Sequence, residues 1–516
     1  MMRRHGIIFA SLAMSASLFV LHASGEDRLG HHGESADGRP NILLMIADDM
    51  SAQDWGPYGK TFAKTPNIDK LARQGLKFNN AFCNSPVCHP ARSVLLTGQE
   101  IWRLRDAAIF GGTLQKDIVT YVDLLQQAGY DVAYSGKGWG PGSLSPGGRI
   151  TPPTGRSTRL AEVLRKDSKR PFCFWWGTVL GHRPFEYRPD GRSLDTIELP
   201  PYMPDTKAVR EDYAGYFQEV EAFDAEVGKV MQQLDEAGEA ENTILIVTAD
   251  HGMPWPRGKG SLYDLGTRVP LIIRWPKHIK PGRAVDDFVS FADFAPTFLD
   301  AGGINIPNTM TGRSLMGVLK SGDDEPVRDR VFLGLEAHPT SGPYESWLGY
   351  MSCRAIRTEE YLYIRNYPLA GHPGWKPTQA GPMIEILKQR MTTDETAKQH
   401  YDLCYGLRPE EELYEVRTDP HQVKNLAGDP RFTDTRRKLS AALNDYMKAT
   451  GDPRSQGKGH LFHHYPVWVS GAKGMMGGYN RTGTLKIFPK AKYHEWMREN
   501  FPENGRRSQR AKPNER

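Results

Sequence analysis

The chain has 516 residues, of which 39% are hydrophobic and 25% charged, and its formal net charge at pH 7 is +5. This is the composition of a folded globular protein, and so small a charge excludes a nucleic-acid-binding protein of the strongly basic kind. Because a single hydrophobic core stops growing at about 300 residues, the length predicts one large α/β core and a smaller second domain.

Residues 1–25 are typical of a signal peptide, with a basic start at Arg3 and Arg4, an apolar run over residues 6–20 and small residues before position 26. The apolar run is short for a membrane span. We therefore expect export to the periplasm or the extracellular space, or to the lysosome in a eukaryotic cell, without a stable span after cleavage. An uncleaved anchor is the alternative. The five cysteines are an odd number, so one thiol stays unpaired and the pairing of the others is open.

Five short apolar runs predict the strands of a central sheet. They are apolar on both faces, as expected for strands buried between two layers of helices. Amphipathic segments between them predict helices, and this alternation predicts a mostly parallel α/β sheet with its ligands beyond the carboxyl ends of the strands. The predicted strands are residues 41–47, 131–135, 172–176, 243–249 and 269–275, and the predicted helices are residues 67–74, 120–128 and 212–237.

The pattern changes after about residue 330, where strands of a smaller antiparallel unit are predicted over residues 355–365 and 412–416. Between these two segments, a loop and a helix are predicted over residues 373–399, and a last helix is predicted over residues 433–450. The expected organisation is a signal peptide (1–25), a flexible leader (26–38), a large α/β domain (39–330), an α+β subdomain (331–450) and an extension (451–516) whose basic end is predicted to be disordered.

Residues 88–98, Cys-His-Pro-Ala-Arg-Ser-Val-Leu-Leu-Thr-Gly, place a thiol at the start of a predicted helix. Pro90 suits the first turn of a helix, where its missing N–H is no loss. Unpaired N–H groups and the helix dipole favour an anion there, and Arg92 lies on the same helix face as Cys88. This arrangement predicts a site for a small anionic group, and a structural thiol is the alternative.

Acidic residues follow two of the predicted strands. Asp48 and Asp49 come after the first strand, and Asp250 and His251 come after the fourth. Paired charges at a buried strand end repel each other unless a cation lies between them, and three carboxylates make a site for Ca²⁺ or Mg²⁺. A solvated turn at each strand end is the alternative.

The segment from Cys88 to Gly98 resembles the sulfatase signature, Cys-x-Pro-x-Arg followed by x-x-x-Leu-Thr-Gly. The resemblance implies an alkaline phosphatase-like fold, a divalent cation (Ca²⁺ above all) and a formylglycine made from Cys88 by a formylglycine-generating enzyme. In that family the hydrated aldehyde attacks sulfur. The resemblance spans residues 39–319, because the other site residues follow in the family's order: Asp48, Asp49, Cys88, Arg92, Lys137, His182, Asp250, His251 and Lys259.

The same resemblance implies roles. Arg92, Lys137 and Lys259 hold the hydrate and the sulfate oxygens, and His182 protonates the leaving atom. The implied metal ligands are Asp48, Asp49, Cys88, Asp250 and His251, and the implied substrate-binding residues are His182, Arg183, Lys259 and His338.

One turn departs from the family pattern. Many sulfatases have Gly-Lys-x-His where this chain has Gly-Lys137-Gly-Trp139, so the imidazole that helps to deprotonate the hydrate in relatives is absent there. His338 or a repositioned imidazole is the candidate replacement. His251, where many relatives have Asn, places a nitrogen near a cation that prefers oxygen.

Residues 253–263 and 413–432 resemble the N-sulfoglucosamine sulfohydrolase branch of the family. We therefore expect a glycosaminoglycan-type saccharide carrying a sulfamate or a sulfate ester as substrate, with Trp175 and Trp176 either in the cleft or in a strand core. The alternatives are an O-sulfatase for another polysaccharide or an aryl sulfate, a phosphate or phosphonate ester hydrolase of the same superfamily, and a non-catalytic sulfoglycan-binding protein with unmodified Cys88.

Overall fold

The computed structural model describes residues 38–59, 61–165, 170–321, 328–336, 352–367 and 381–465, and the backbone of residues 475–479 and 485–489. The predicted signal peptide, nearly all of the predicted leader, the basic C-terminal end and His338 lie outside the described residues. Within the described part, no helix combines the length and the hydropathy that a membrane span requires.

The central sheet is built from nine strands of the described chain in the order β4-β3-β5-β1-β6-β8-β2-β7, with β9 paired to β2. The strands are β1 (Asn41–Ala47), β2 (Leu76–Phe82), β3 (Asp131–Gly136), β4 (Arg156–Ser157), β5 (Phe172–Gly177), β6 (Thr243–Ala249), β7 (Arg268–Val269), β8 (Leu271–Arg274) and β9 (Arg283–Ser290).

Helices cover this sheet on both faces. Those that precede the second sheet are α1 (Pro66–Gln74), α2 (Cys88–Thr97), α3 (Tyr121–Gln127), α4 (Leu160–Leu164), α5 (Lys207–Glu236), α6 (Asp264–Thr267), α7 (Phe294–Ala301) and α8 (Met316–Lys320). The later ones are α9 (Met383–Arg390), α10 (Glu395–Tyr405) and α11 (Thr433–Ala449).

The strand β1 shows why its sequence is apolar throughout. Ile42, Leu44 and Ile46 pack into a core with α2, α3 and α7, whereas Leu43 and Met45 pack into a second core with α1 and α5. Successive side chains of a strand point to opposite faces, so a strand between two helical layers needs apolar residues at every position. The predicted α/β sheet with mostly parallel strands is confirmed, since β1, β3, β4, β5 and β6 run parallel.

The prediction of one continuous strand over residues 269–275 is wrong, because two short strands occupy this segment. Pro270 separates β7 from β8 because it has no N–H to donate to a neighbouring strand, and β8 runs antiparallel to β6. The predicted helix that should begin at residue 212 begins instead at Lys207. Thr206 caps it there by accepting a hydrogen bond from the Val209 N–H at 3.3 Å.

A separate antiparallel sheet has the order β10-β11-β12-β13, as predicted for the C-terminal part. One face packs on the central sheet through Phe82 and Phe288, and the other packs on α11. The predicted strand segment 355–365 contains a turn and forms the hairpin of β11 and β12. The strands are β10 (Arg330–Leu335), β11 (Ser352–Thr358), β12 (Tyr361–Tyr367) and β13 (Glu411–Glu415). A further antiparallel pair consists of β14 (Met475–Tyr479) and β15 (Leu485–Pro489).

Candidate active site

The acidic pairs predicted from the sequence lie together at one edge of the central sheet. Because β1 and β6 are parallel neighbours in register to their last residues, the residues that follow them are adjacent. The backbone N–H of Asp49 donates to Asp250 Oδ1 at 3.1 Å. Asp48, Asp49, Asp250 and His251 are fully buried. The alternative of solvated turns at these strand ends is therefore excluded.

The helix α2 brings Cys88 into this cluster. The helix begins at Cys88, and all ten of its residues are buried. The thiol Sγ lies 3.7 Å from Asp48 Oδ1 and 3.3 Å from His251 Nε2. Arg92, one turn later, places Nη2 3.8 Å from the same Asp48 oxygen. The thiol at the start of α2 and the guanidinium one turn later therefore lie beside the same carboxylate, and the predicted site for a small anionic group stays a prediction.

Each buried carboxylate of the cluster has a cation beside it. A buried charge without a partner is costly, so this pairing is what allows three acidic side chains to fold into one small volume. The pairs are Lys137 with Asp48, Lys259 with Asp49 at 2.8 Å to each oxygen, and Arg92 with Asp250 at 3.0 Å.

The pKa values of the cluster follow from this pairing. Burial by itself raises the pKa of Asp48, but Lys137, Arg92 and Lys259 outweigh it and hold that pKa well below its usual range. Burial lowers the pKa of His251, whereas the Asp250 and Asp49 carboxylates raise it to a net value of about 9. These neighbours therefore favour the charged forms of Asp48 and His251.

Four donors of this cluster fit a divalent cation. Asp48, Asp49, Cys88 and His251 each offer a ligand atom, and these atoms lie within 4.8 Å of one another. His251 Nδ1 lies 3.1 Å from the carbonyl oxygen of the next residue, which keeps the proton of a neutral ring on Nδ1 and leaves the Nε2 lone pair for an ion. Asp250 accepts hydrogen bonds at both oxygens, from Asp49 and Arg92, so its role as a ligand stays a prediction.

The backbone of Asp49 is strained, and the sequence carried no signal of it. Its φ of 52° lies in the left-handed region, which is rare for a residue with a Cβ. Besides Asp250, Tyr216 of α5 holds this conformation, because its hydroxyl lies 3.2 Å from the Asp49 carbonyl oxygen and also contacts Asp54. Sequence reasoning missed Tyr216 and Asp54, since neither belongs to a motif.

The turn after β5 contacts the backbone of Asp48 through the two residues that precede His182. The Asp48 N–H donates to the Leu180 carbonyl at 3.3 Å. Gly181 lies so close to Asp48 that a Cβ added to it would be 2.2 Å from the backbone carbonyl oxygen of Asp48. Its φ of 94° also favours glycine. His182 is half-buried, and its Nδ1 lies 2.8 Å from the Arg183 carbonyl oxygen.

The side chain of Arg183 is occupied inside the protein. Its guanidinium donates two hydrogen bonds to Asp212, at 2.7 and 2.6 Å, and lies over the ring of Trp255 at 4.6 Å. Its predicted contact with substrate stays a prediction, and the pairing with Asp212 competes with it.

Trp175 and Trp176, predicted to lie either in the cleft or in a strand core, differ in their burial. Trp175 is buried in β5, and its indole donates to the Lys137 carbonyl at 3.0 Å. Trp176 is half-buried and packs on Phe223. Trp139 donates to Ser93 on α2. The interpretation of Trp175 as strand core is therefore confirmed.

Comparison with known proteins gives two matching families. The family described as Sulfatase matches residues 40–141 and 157–304, and the family described as N-sulphoglucosamine sulphohydrolase, C-terminal, matches residues 255–372. An ulvan-active sulfatase of Formosa agariphila is 28% identical over 470 residues, which cover 87% of this chain and 88% of that protein. The N-sulphoglucosamine sulphohydrolase of Homo sapiens is 29% identical over 468 residues, 80% of this chain and 91% of its own.

Solved structures share the fold. The phosphonate monoester hydrolase of Agrobacterium radiobacter has a TM-score of 0.60 at 20% identity and covers 80% of this chain and 96% of its own. A protein in complex with its substrate D-glucosamine-2-N,6-O-disulfate has a TM-score of 0.59 at 22% identity and covers 81% of this chain and 100% of its own. With both families matched and the signature cysteine at the centre of the buried charge cluster, the chain belongs to the sulfatase family of hydrolases.

Proposed function

We propose that this protein is a sulfatase that removes a sulfamate or sulfate-ester group from a glycosaminoglycan-type saccharide of the N-sulfoglucosamine kind. The observation that carries the proposal is the contact of Cys88 with a buried cluster of carboxylates and cations, 3.7 Å from Asp48 and 3.3 Å from His251. A phosphate or phosphonate hydrolase is the candidate that the shared fold of the Agrobacterium enzyme favours.

Two groups complete the proposed site. A divalent cation, Ca²⁺ first of all, would be held by Asp48, Asp49, His251 and the side chain at position 88. Asp250 lies beside them, since it accepts a hydrogen bond from the Asp49 N–H. It would supply Lewis acidity, and a formylglycine made from Cys88 by a maturing enzyme would supply the nucleophile. Every other contribution comes from side chains that the chain already carries.

The three cations divide into two kinds. The side chains of Lys137 and Lys259 are 15% and 9% exposed, so each can touch a sulfate oxygen while remaining beside its carboxylate. Arg92 is fully buried, and it donates to Asp250 and to two backbone carbonyls of the Lys137 turn. The two lysines therefore stabilise charge that develops on the substrate, whereas Arg92 orients the site.

His182 is the proposed general acid. Its Nδ1 faces the Arg183 carbonyl oxygen at 2.8 Å, and a carbonyl oxygen only accepts, so Nδ1 carries a proton. That bond orients the ring, and the protonated ring then donates from Nε2 to the leaving atom of the substrate.

The saccharide part of the proposal is supported by relatives. The C-terminal family match and the human relative, which is named for N-sulphoglucosamine, favour a glucosamine N-sulfate. The ulvan-active relative favours a second candidate, an O-sulfatase for another sulfated polysaccharide. The predicted signal sequence supports an exported enzyme, and we propose that residues 39–330 form the catalytic domain and residues 331–450 the α+β subdomain.

Sulfate release from desalted heparin disaccharides tests the proposal. We expect the wild type to act on N-sulfated disaccharides faster than on O-sulfated ones, and on aryl sulfate faster than on aryl phosphate. Mass spectrometry of the peptide that contains residue 88 should show formylglycine. Cys88→Ala should abolish sulfate release, whereas Cys353→Ser, on β11 in the second sheet, should keep it. Full activity of Cys88→Ala, or a preference for aryl phosphate, would contradict the proposal.

A further inference from the structure

Lys137 lies in the turn that follows β3, with a glycine on each side of it. Gly136 has a φ of 67°, and an added Cβ would lie 2.0 Å from the Gly177 carbonyl oxygen, so glycine is required there. Gly138 follows Lys137, and the Lys137 N–H donates to the Gly177 carbonyl oxygen at 3.2 Å. Contacts from neighbouring side chains hold the carbonyl oxygens of the turn.

Those contacts come from two neighbouring elements. Arg92 of α2 donates to the carbonyl oxygens of Lys137 and Gly138, each at 2.9 Å. Trp175 of β5 donates to the Lys137 carbonyl at 3.0 Å. Both tie the backbone of the turn, and neither reaches its last residue, Trp139.

Trp139 forms its own connection to the first turns of α2. Its indole N–H donates to Ser93 Oγ at 2.8 Å, and the Ser93 hydroxyl donates to the His89 carbonyl oxygen at 2.8 Å. The His89 ring meets the indole edge-on, with centroids 4.4 Å apart. His89 follows Cys88 directly, so this hydrogen-bond chain joins the Lys137 turn to the helix end that carries the thiol.

We propose that Trp139 is a positioning residue, which fixes Lys137 relative to Cys88 through Ser93. Relatives with histidine at this position place an imidazole there. Here the indole N–H donates its hydrogen bond to α2, and the side chain is buried, with 4% of its surface exposed. The imidazole that contacts the thiol is that of His251. The inference rests on the proposed role of Lys137 at the substrate.

A double-mutant cycle of Trp139→Phe and Ser93→Ala tests this contact. Phenylalanine keeps an aromatic ring and removes the N–H, and Ser93→Ala removes the acceptor. We expect each single variant to lower kcat about five- to tenfold, the value of one hydrogen bond, with KM changed less than about twofold. The double variant should lose no more than the worse single variant, because both remove the same contact. Rates are taken per formylglycine-containing molecule, counted by mass spectrometry.

Trp275→Phe is the matched control. Trp275 is also 4% exposed, and its indole nitrogen has no hydrogen-bond partner among the described residues. It follows β8, which runs antiparallel to β6, so it lies at the end of the sheet away from Asp250. The kcat of the Trp275→Phe variant should stay at the wild-type value.

Trp139→His separates positioning from a lost proton carrier. Since the side chain at this position faces Ser93, we expect this variant to have a lower kcat than the wild type. A kcat above the wild type would overturn the inference, as would additive effects in the cycle or a Trp139→Phe variant that melts lower yet keeps its kcat. The same cycle read in melting temperature tests the contact even if no saccharide is turned over, so a failure of the proposed function is distinguishable.

Discussion

Replacing Lys259 with methionine tests how the site balances its buried charges. The ammonium lies 2.8 Å from each carboxylate oxygen of Asp49, and the two side chains are 9% and 0% exposed. Methionine keeps most of the length of lysine and removes its charge. Removing one partner of a buried ion pair costs about 3 to 5 kcal/mol of unfolding free energy, because the other charge stays buried.

We expect Lys259→Met, stripped of metal by EDTA, to melt about 3 to 5 °C below the wild type, since the unfolding entropy of a chain of this length is large. Added Ca²⁺ should recover most of this loss, because a dication bound at Asp48 and Asp49 replaces the missing positive charge and stabilises the folded state alone. Sulfate release should stay at least about 100-fold below the wild type with or without Ca²⁺, because a cation that can touch the substrate is gone.

Arg354→Met is the control for this experiment. Arg354 donates to Glu336 and to Asp452, each at 2.6 Å, in a buried ion cluster of the second sheet. This variant should also melt lower, but Ca²⁺ should not restore it. Scanning fluorimetry measures both variants. An EDTA-treated Lys259→Met that melts with the wild type, or equal rescue of both variants by Ca²⁺, would refute the reasoning.

Two further predictions concern buried carboxyl groups. Burial raises the pKa of Glu100 to about 7 although Tyr446 and Asn84 donate to it. Its proton is therefore bound more tightly in the folded than in the unfolded chain, and stability should fall as the pH rises from about 4.5 to about 7. Glu100→Gln should flatten this decline in melting temperature, and an unchanged slope would contradict the assignment. Asp49→Asn should abolish sulfate release while circular dichroism stays that of the wild type, because an amide cannot balance Lys259 or a dication; residual turnover near the wild-type rate would count against that role.

Local pattern predicted the elements whose environment is the same along their whole length. The strands over residues 41–47 and 243–249 were predicted with their observed bounds, because strands buried on both faces are apolar at every position. The strands β2 and β9 escaped prediction. In β2, Phe78 and Ala81 are buried, but Lys77, Asn79 and Asn80 are partly exposed, so the apolar run is broken. In β9, charged residues likewise interrupt the apolar ones.

The charge cluster could be predicted in its members but only in part in its arrangement. Parallel strands end at one edge of a sheet, so the sequence by itself determined that Asp48, Asp49 and Asp250 would meet, and the helix signals determined that Cys88 would begin a helix. Which cation pairs with which carboxylate depends on distances between segments far apart in the chain, which no local pattern encodes.

The tertiary structure alone decided the roles of the residues that hold this site. The sequence determined that position 139 lacks the family's histidine, yet only the packing of the turn against α2 turned Trp139 toward Ser93. Likewise, only the fold brought Tyr216 to the strained backbone of Asp49, across 167 residues. A motif records the groups that do chemistry, because their types are restricted, whereas the contacts that position them arise from packing and leave no periodic trace in the chain.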